Sequence, residues 1–328
     1  MHFPGADMSW LDLFYHPLWV VSAAVLAAVL RLQRRLRWTP GACDVRLTGK
    51  TAIVTGANTG IGRVVALDLA QRGARVILAC RSAARGSAAL KDIREKTGSP
   101  DVHLRVVDVS SLDSVRKFAK DILEEEKALH ILVNNAGASG LPSELTKDGL
   151  EVSFATNHLG PFLLTTLLLD LLKRSAPARI VNLSSFNHKR GKVDFSHFHG
   201  KNLSARMDHT YNHTKLHIVL CTKELARRLQ GTENAGVMAN SVNPGIVNTE
   251  VLRHYPFLMR YLFKFIGLFF FKSPEEGAVS TIFCAVSEEM EGITGKYVDS
   301  DCALALPAPV ARDAALAVKA FEMSERAV

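Results

Sequence analysis

From residue 51 onward the chain repeats one pattern: a short apolar run, a turn of small and polar residues, then a longer stretch with apolar residues at helical spacing. The apolar runs are TAIVTG (51–56), RVILAC (75–80), HLRVVDV (103–109), HILVNNAG (130–137), ARIVNLSS (178–185) and GVMANSVNPG (236–245), with GKYVDS (295–300) as a late seventh. They do not alternate apolar with polar, and that is the signature of strands covered on both faces, as in a parallel sheet. Helix-length stretches such as 63–72, 112–127 and 150–174 separate them. The alternation predicts an α/β fold, a doubly wound, mostly parallel seven-stranded sheet with helices on both sides. No linker interrupts it, so the 328 residues, 48% hydrophobic and 22% charged, read as one domain over 48–305 with additions at either end.

The first strand runs straight into TGANTGIGR (55–63), where Gly56, Gly60 and Gly62 follow a G-x-x-x-G-x-G spacing. Glycines between a first strand and a first helix let a pyrophosphate approach bare backbone at a helix N-terminus, which makes the fold Rossmann-type. An NAD enzyme usually carries an acid at the end of the second strand to hold the ribose 2′-hydroxyl. Here that strand ends in Cys80 and Arg81. A planar, permanently charged fork grips a 2′-phosphate, so Arg81 selects NADP(H), with Arg63 and Arg85 as possible helpers.

Ahead of the domain, residues 11–30 read LDLFYHPLWVVSAAVLAAVL. A spanning helix needs about 20 largely apolar residues, and this segment approaches that length. Asp7 and Asp12 precede the apolar run, whereas Arg31, Arg34, Arg35 and Arg37 follow it. That order is the reverse of a cleaved signal peptide, and it places the remaining chain in the cytosol. Residues 1–38 are therefore expected to form a membrane anchor and basic flank, spanning or shallow, with an amphipathic helix packed on the domain as the alternative. A second apolar stretch, YPFLMRYLFKFIGLFFFK (255–272), is read either as a substrate lid that dips into the membrane or as a helix burying its aromatics. Residues 306–328 form a tail whose last part, 313–328, has the pattern of a final amphipathic helix.

The net charge of +8 favours anionic partners, yet no zinc-finger, RNP-like or arginine–aromatic motif points to nucleic acid. The five cysteines are scattered and odd in number, which argues against a disulfide framework or a cysteine metal site. His197 and His199 lack further ligands nearby in sequence and are read as polar loop residues, so no metal is expected.

YNHTK (211–215) sets Tyr211 and Lys215 four residues apart, on one face of a helix with Cβ atoms ~5–6 Å apart. By itself such a pair is common. It gains meaning because TGANTGIG, NNAG (134–137), the serines ending RIVNLSS, YNHTK and NPGIVNT (243–249) follow one another in the order seen in the short-chain dehydrogenase/reductase superfamily, which residues 48–305 resemble. The anchor with its arginines, ACRS (79–82), TNHLGPFLLT (156–165), ELARRLQGT (224–232) and SPEEGA (273–278) are similar to the membrane-anchored, NADP-using retinol dehydrogenase branch.

The resemblance implies a catalytic set of Asn157, Ser185, Tyr211 and Lys215, with Ser185 rather than Ser184 at the active position. It implies cofactor contacts from Thr55, Gly56, Asn58, Thr59, Gly60, Ile61, Gly62, Arg81, Asp108, Asn134, Ala136, Gly137, Tyr211, Lys215, Val247 and Thr249. In these terms Asp108 lies beside the adenine, Asn134 lines the cleft, and Val247 and Thr249 sit near the carboxamide. The 26-residue gap from Ser185 to Tyr211 looks like the insertion of the retinol branch. Asn243 stands where that branch often has histidine, a departure expected on the substrate side.

Chemically, an ammonium ~4 Å from the phenol at an effective dielectric of ~20 attracts the phenolate by up to about 4 kcal/mol, or ~3 pKa units. Tyr211 then passes a proton, Ser185 donates to the developing oxyanion, and Asn157 carries a water behind Lys215. The expected activity is NADP(H)-dependent interconversion of a lipophilic aldehyde or ketone with its alcohol, retinal and retinol foremost, at the endoplasmic reticulum membrane. A steroid or polyprenal substrate, and a non-enzymatic NADPH-binding scaffold, are the alternatives. The sequons at Asn182 and Asn212 read as accidental on a cytosolic chain.

Overall fold

A computed structural model describes residues 37–203, 209–230, 236–248 and 271–328, together with positions 19, 21, 22, 25 and 26. Those five positions are helical, and Trp19, Val21, Val25 and Leu26 are exposed. The rest of the expected anchor, residues 255–270 of the second apolar stretch, and Thr249 lie outside the described residues.

Seven parallel strands form in chain order: β1 (Thr51–Thr55), β2 (Arg75–Cys80), β3 (Val102–Val106), β4 (Ile131–Asn134), β5 (Ala178–Leu183), β6 (Val237–Val242) and β7 (Tyr297–Val298). An eighth, β8 (Leu304–Ala305), pairs antiparallel with β7, so the sheet has eight strands rather than the expected seven. Two residues with exposed Leu304 carry no readable period, so β8 exists only because β7 presents an open edge. The order is β3-β2-β1-β4-β5-β6-β7-β8. The chain reverses direction of winding between β1 and β4, and the crevice above the C-terminal ends of those strands is where such a sheet binds ligands.

The helices are α1 (Gly60–Gln71), α2 (Ala83–Thr97), α3 (Leu112–Glu125), α4 (Gly160–Arg174), α5 (His209–Gln230), α6 (Pro274–Val286) and α7 (Ala314–Ala327). One core face packs α3, α4, α5 and α7 on the sheet through residues such as Phe118, Leu164, Leu220 and Phe321. The other packs α1, α2 and α6 through Leu69, Ile93 and Ile282. The central strands β1, β2, β4, β5 and β6 therefore have apolar cover on both sides, as the runs without alternation require, whereas the edge strands β3 and β8 are partly open.

Strands stop earlier than the apolar runs do. β4 ends at Asn134, β5 at Leu183 and β6 at Val242, which turns NAG, SS and NPG into loops at the crevice. The run at 150–174 is also not one regular helix. A turn at Val152–Phe154 leads into a π-helical stretch, Ala155–Leu159, before α4. Pro161 explains the break, because it has no N–H to give the carbonyl of Asn157. Residues 152–174 are long and apolar enough to cross a membrane, but their apolar window is 67% buried and serves as core.

Residues ahead of β1 belong to the domain too. Trp38 packs edge-on against Phe283 at 5.4 Å, and the buried fork of Arg72 donates to the carbonyls of Pro40, Cys43 and Val45. Asp68 holds that guanidinium from behind at 2.7 Å. The segment from 37 to 47 thus forms a strap bound to the back of α1.

Candidate active site

The glycine turn shapes one end of the crevice. Gly56 and Gly60 adopt φ of +67° and +55°, a left-handed backbone that side chains rarely take. At Gly62 the requirement is contact: a Cβ would lie 2.4 Å from Asn135 Nδ2 and 2.6 Å from the Gly56 carbonyl. Thr59 caps α1 without a side-chain hydrogen bond, and the first turn carries no acid. The opening amides of α1 are thereby free for an anion, the electrostatic setting a pyrophosphate needs.

A cleft of about 240 Å³ runs from this turn along the strand ends. Gly56, Asn58, Thr59, Gly60, Ile61, Arg81, Asp108, Ala136, Gly137, Ser185, Tyr211, Lys215 and Val247 of the expected site residues all line it. Arg81 is half exposed, and its nearest acid, Asp108, is 3.9 Å away, too far for a tight pair. Asp108 instead accepts from the amide and hydroxyl of Ser110 at 3.0 and 2.7 Å. Arg85 joins Arg81 in the wall, whereas Arg63 points elsewhere and pairs with Asp92 on α2. A helix face one turn on carries Arg63 away from the adenine end, so it gives Arg81 no help.

Three expected contacts stand one layer back. Thr55 is fully buried, and its hydroxyl accepts from the amides of Asn135 and Ala136, both at 3.0 Å. Gly62 is covered by Asn135. Asn134, expected in the cleft wall, is buried beneath it and donates to Thr165 Oγ1 and Asn182 Oδ1, each at 2.8 Å. Side chains of adjacent strand-end residues leave on opposite faces, and it is the neighbouring Asn135 that reaches the crevice and bonds the Thr55 carbonyl at 2.8 Å. The doubled asparagine of NNAG was the available signal.

At the other end, the two serines after β5 separate cleanly. Ser184 is buried and donates to the Lys215 carbonyl at 2.9 Å. Ser185 accepts from the Asn187 amide at 3.1 Å, which leaves its own proton for the cleft. Tyr211 and Lys215 share a face of α5, with Lys215 Nζ 5.5 Å from the tyrosine ring centroid. The ammonium donates to the Leu183 carbonyl at 2.7 Å and is otherwise enclosed; burial pulls its pKa down to about 7.

Asn157 lies in the π-helical stretch and outside the cleft wall. Its side chain exchanges hydrogen bonds with the Ala138 amide and carbonyl at 2.8 and 2.9 Å and donates to Thr214 at 3.3 Å. That bracing joins the loop after β4 to α5 between Tyr211 and Lys215. Asn243, expected on the substrate side, is buried; it accepts from the amides of Phe186 and Gly245 and donates to Asp299. Of the two histidines read as polar loop residues, His199 is exposed, but His197 is not. His197 is buried and stacks on His213 of α5 at 4.6 Å, while Phe198 packs on His217.

The family model for short chain dehydrogenases matches residues 50–256. Mouse retinol dehydrogenase 11 is 47% identical over 87% of this chain and 88% of its own length. Human retinol dehydrogenase 13 is 46% identical over 88% of each. Among solved structures, the Pseudomonas aeruginosa RhlG–NADP complex is 26% identical, with a TM-score of 0.61 over 77% of this chain and 95% of that one. The capless helix, the glycine turn and the arginine-lined wall fit an NAD(P)(H) cofactor, and with this sequence match they establish that the chain is an oxidoreductase belonging to the short chain dehydrogenase family.

Proposed function

We propose that the protein interconverts a lipophilic aldehyde or ketone with its alcohol, retinal with retinol foremost, and that it prefers NADP(H). The observation that carries this reading is one cleft with Ser185, Tyr211 and Lys215 in its wall at one end and Arg81 in its wall at the other. The names of the similar mouse and human proteins support the substrate class. A nicotinamide cofactor held along this cleft by the glycine turn, Arg81 and Lys215 would supply hydride to the carbonyl carbon in reduction, or accept it from the alcohol in oxidation.

The chain's own residues handle the proton and the charge. Ser185 donates to the substrate oxygen as it becomes negative, a contact that strengthens towards the transition state. Tyr211 delivers the proton to that oxygen in reduction and removes it in oxidation. Lys215 lowers the cost of the phenolate while charged, and Asn157, braced on Ala138 and Thr214, keeps the region behind it ordered for a water to reach Lys215. Arg81, whose guanidinium Asp108 leaves largely unengaged, would hold the 2′-phosphate of NADP(H). The acid–apolar–basic order of the N-terminus supports attachment to a membrane, the endoplasmic reticulum by resemblance, with the catalytic domain on the cytosolic side.

The test is kinetic, on the full chain in detergent micelles with all-trans-retinal. NADPH should give a higher kcat/KM than NADH, and Arg81→Asp should lower the NADPH value and invert the preference. Faster turnover of a steroid ketone or a polyprenal than of retinal would overturn the retinoid assignment. Preference for NADH in the unaltered protein would overturn the role of Arg81.

A further inference from the structure

Ser185 has to present its hydroxyl to the cleft from the first position of an irregular turn. The peptide unit that joins it to Phe186 is held at both ends by side chains. Its N–H, on Phe186, donates to Asn243 Oδ1 at 3.0 Å. Its carbonyl, on Ser185, accepts from the His188 backbone amide at 3.1 Å and also faces the His188 ring, whose Nδ1 is closer, at 2.7 Å. His188 is fully buried, with its ring centroid 4.7 Å from that of Tyr297.

The far nitrogen of the same ring is also engaged. The Ala308 amide, 120 residues on, reaches His188 Nε2 at 3.0 Å. A backbone N–H only donates, so Nε2 is the acceptor, and the proton of the neutral ring sits on Nδ1, aimed at the Ser185 carbonyl. Burial favours the neutral ring, in keeping with this tautomer. Ala308 stands between Pro307 and Pro309, neither of which has an N–H, so it is the local amide that can make this bond. Ala311 just beyond is fully buried and α7 follows, which anchors the segment that carries Ala308.

We infer that His188 is a positioning residue for the reaction: its Nδ1–H fixes the Ser185–Phe186 peptide plane, and hence the Ser185 hydroxyl, and the Ala308 amide at Nε2 sets the tautomer that supplies this donor. This rests on Ser185 acting as the oxyanion donor. The tail that begins at residue 306 thereby becomes part of the apparatus that aims the catalytic serine, without itself touching substrate.

Two substitutions separate the two ends of the ring. Asparagine places a donor where Nδ1 stands, and glutamine places an acceptor where Nε2 stands. With all-trans-retinal and NADPH, His188→Gln should lower kcat about tenfold or more with KM for NADPH unchanged, since a small error in aim is costly while the cofactor end of the cleft is untouched. His188→Asn should recover kcat to within about threefold, even with a lower Tm. Equal losses of kcat in the two variants, or losses of Tm with kcat intact in both, overturn the inference. Should His188→Gln fail to fold, a loss of tenfold or more in His188→Asn overturns it by itself.

The Ser185→Ala background distinguishes this inference from the reading beneath it. If His188 acts through Ser185, adding His188→Gln to Ser185→Ala costs no further kcat, because the hydroxyl to be aimed is gone. A multiplicative loss overturns the inference alone. Wild-type turnover by Ser185→Ala overturns the role of Ser185 and the inference together.

Discussion

Lys215 concentrates the electrostatic cost of this site. Burial lowers its pKa to about 7, while the unfolded chain keeps a lysine at about 10.4. Below pH about 7 the folded and unfolded states are both protonated and the burial penalty is fully present. As pH rises from there towards ~10.4, the unfolded state binds more protons than the folded one, so stability increases. The penalty is on the order of 4 kcal/mol. Lys215→Met should therefore raise Tm at pH 6, with the gain shrinking as pH approaches 9, while turnover is lost; thermal unfolding across that range checks it. Tyr211→Phe should reduce kcat by about 10²–10⁴-fold and weaken NADPH binding far less, since the ring stays in the cleft wall and only its hydroxyl is removed. Isothermal titration with NADPH beside a turnover assay reads both. The pairing of Tyr211 with Lys215 was legible in YNHTK because i and i+4 meet on any helix. The lysine's bond to the Leu183 carbonyl was not, as it depends on where β5 ends relative to α5.

Elements place these residues through close backbone approach. Gly160 begins α4 against the end of the β3 loop, and a Cβ there would fall 1.8 Å from the Val109 carbonyl. Gly160→Ala has no way to relieve that contact except by moving α4, so it should be poorly folded or destabilised by several kcal/mol, beyond the ~1–3 kcal/mol usual for overpacking. Gly62→Ala meets Asn135 Nδ2 and the Gly56 carbonyl, and should weaken NADPH binding as well as stability if the same turn cradles the pyrophosphate, as proposed. Denaturant titration, with NADPH affinity as the second readout, separates the two. The glycine spacing announced the turn at 56–62, since tight turns leave a local signature. Gly160 carried no such mark, because its neighbour comes from a loop 51 residues earlier. The strand count was readable to seven and failed at β8, whose two residues depend on an available edge.

At the scale of the whole molecule, the strap and the tail close the domain around the sheet. Arg72 and Asp68 are both largely enclosed, and the guanidinium also holds three carbonyls of the strap. Arg72→Ala strands Asp68 and those carbonyls together, so it should cost about 3–5 kcal/mol. It should also open residues 37–47 to proteolysis under native conditions, which limited digestion with mass spectrometry detects. At the opposite face, α7 sets Phe321 edge-on against Phe162 at 4.9 Å and seats it under Arg228 at 4.0 Å, so the tail belongs to the core. The sequence by itself determined the architecture and the chemistry on offer: apolar runs without alternation, a glycine turn after β1, an arginine after β2, and serine, tyrosine and lysine at family spacing. Each is written in residues close together in the chain, where periodicity and local sterics act. Only the tertiary structure decided that Asn135 rather than Asn134 faces the crevice, that Asn243 is a buried brace, that His197 stacks on α5, and that His188 joins Ser185 to Ala308. Those outcomes depend on contacts between distant segments, whose partners are chosen by packing and by the need to satisfy buried polar groups, and neither is encoded in local spacing.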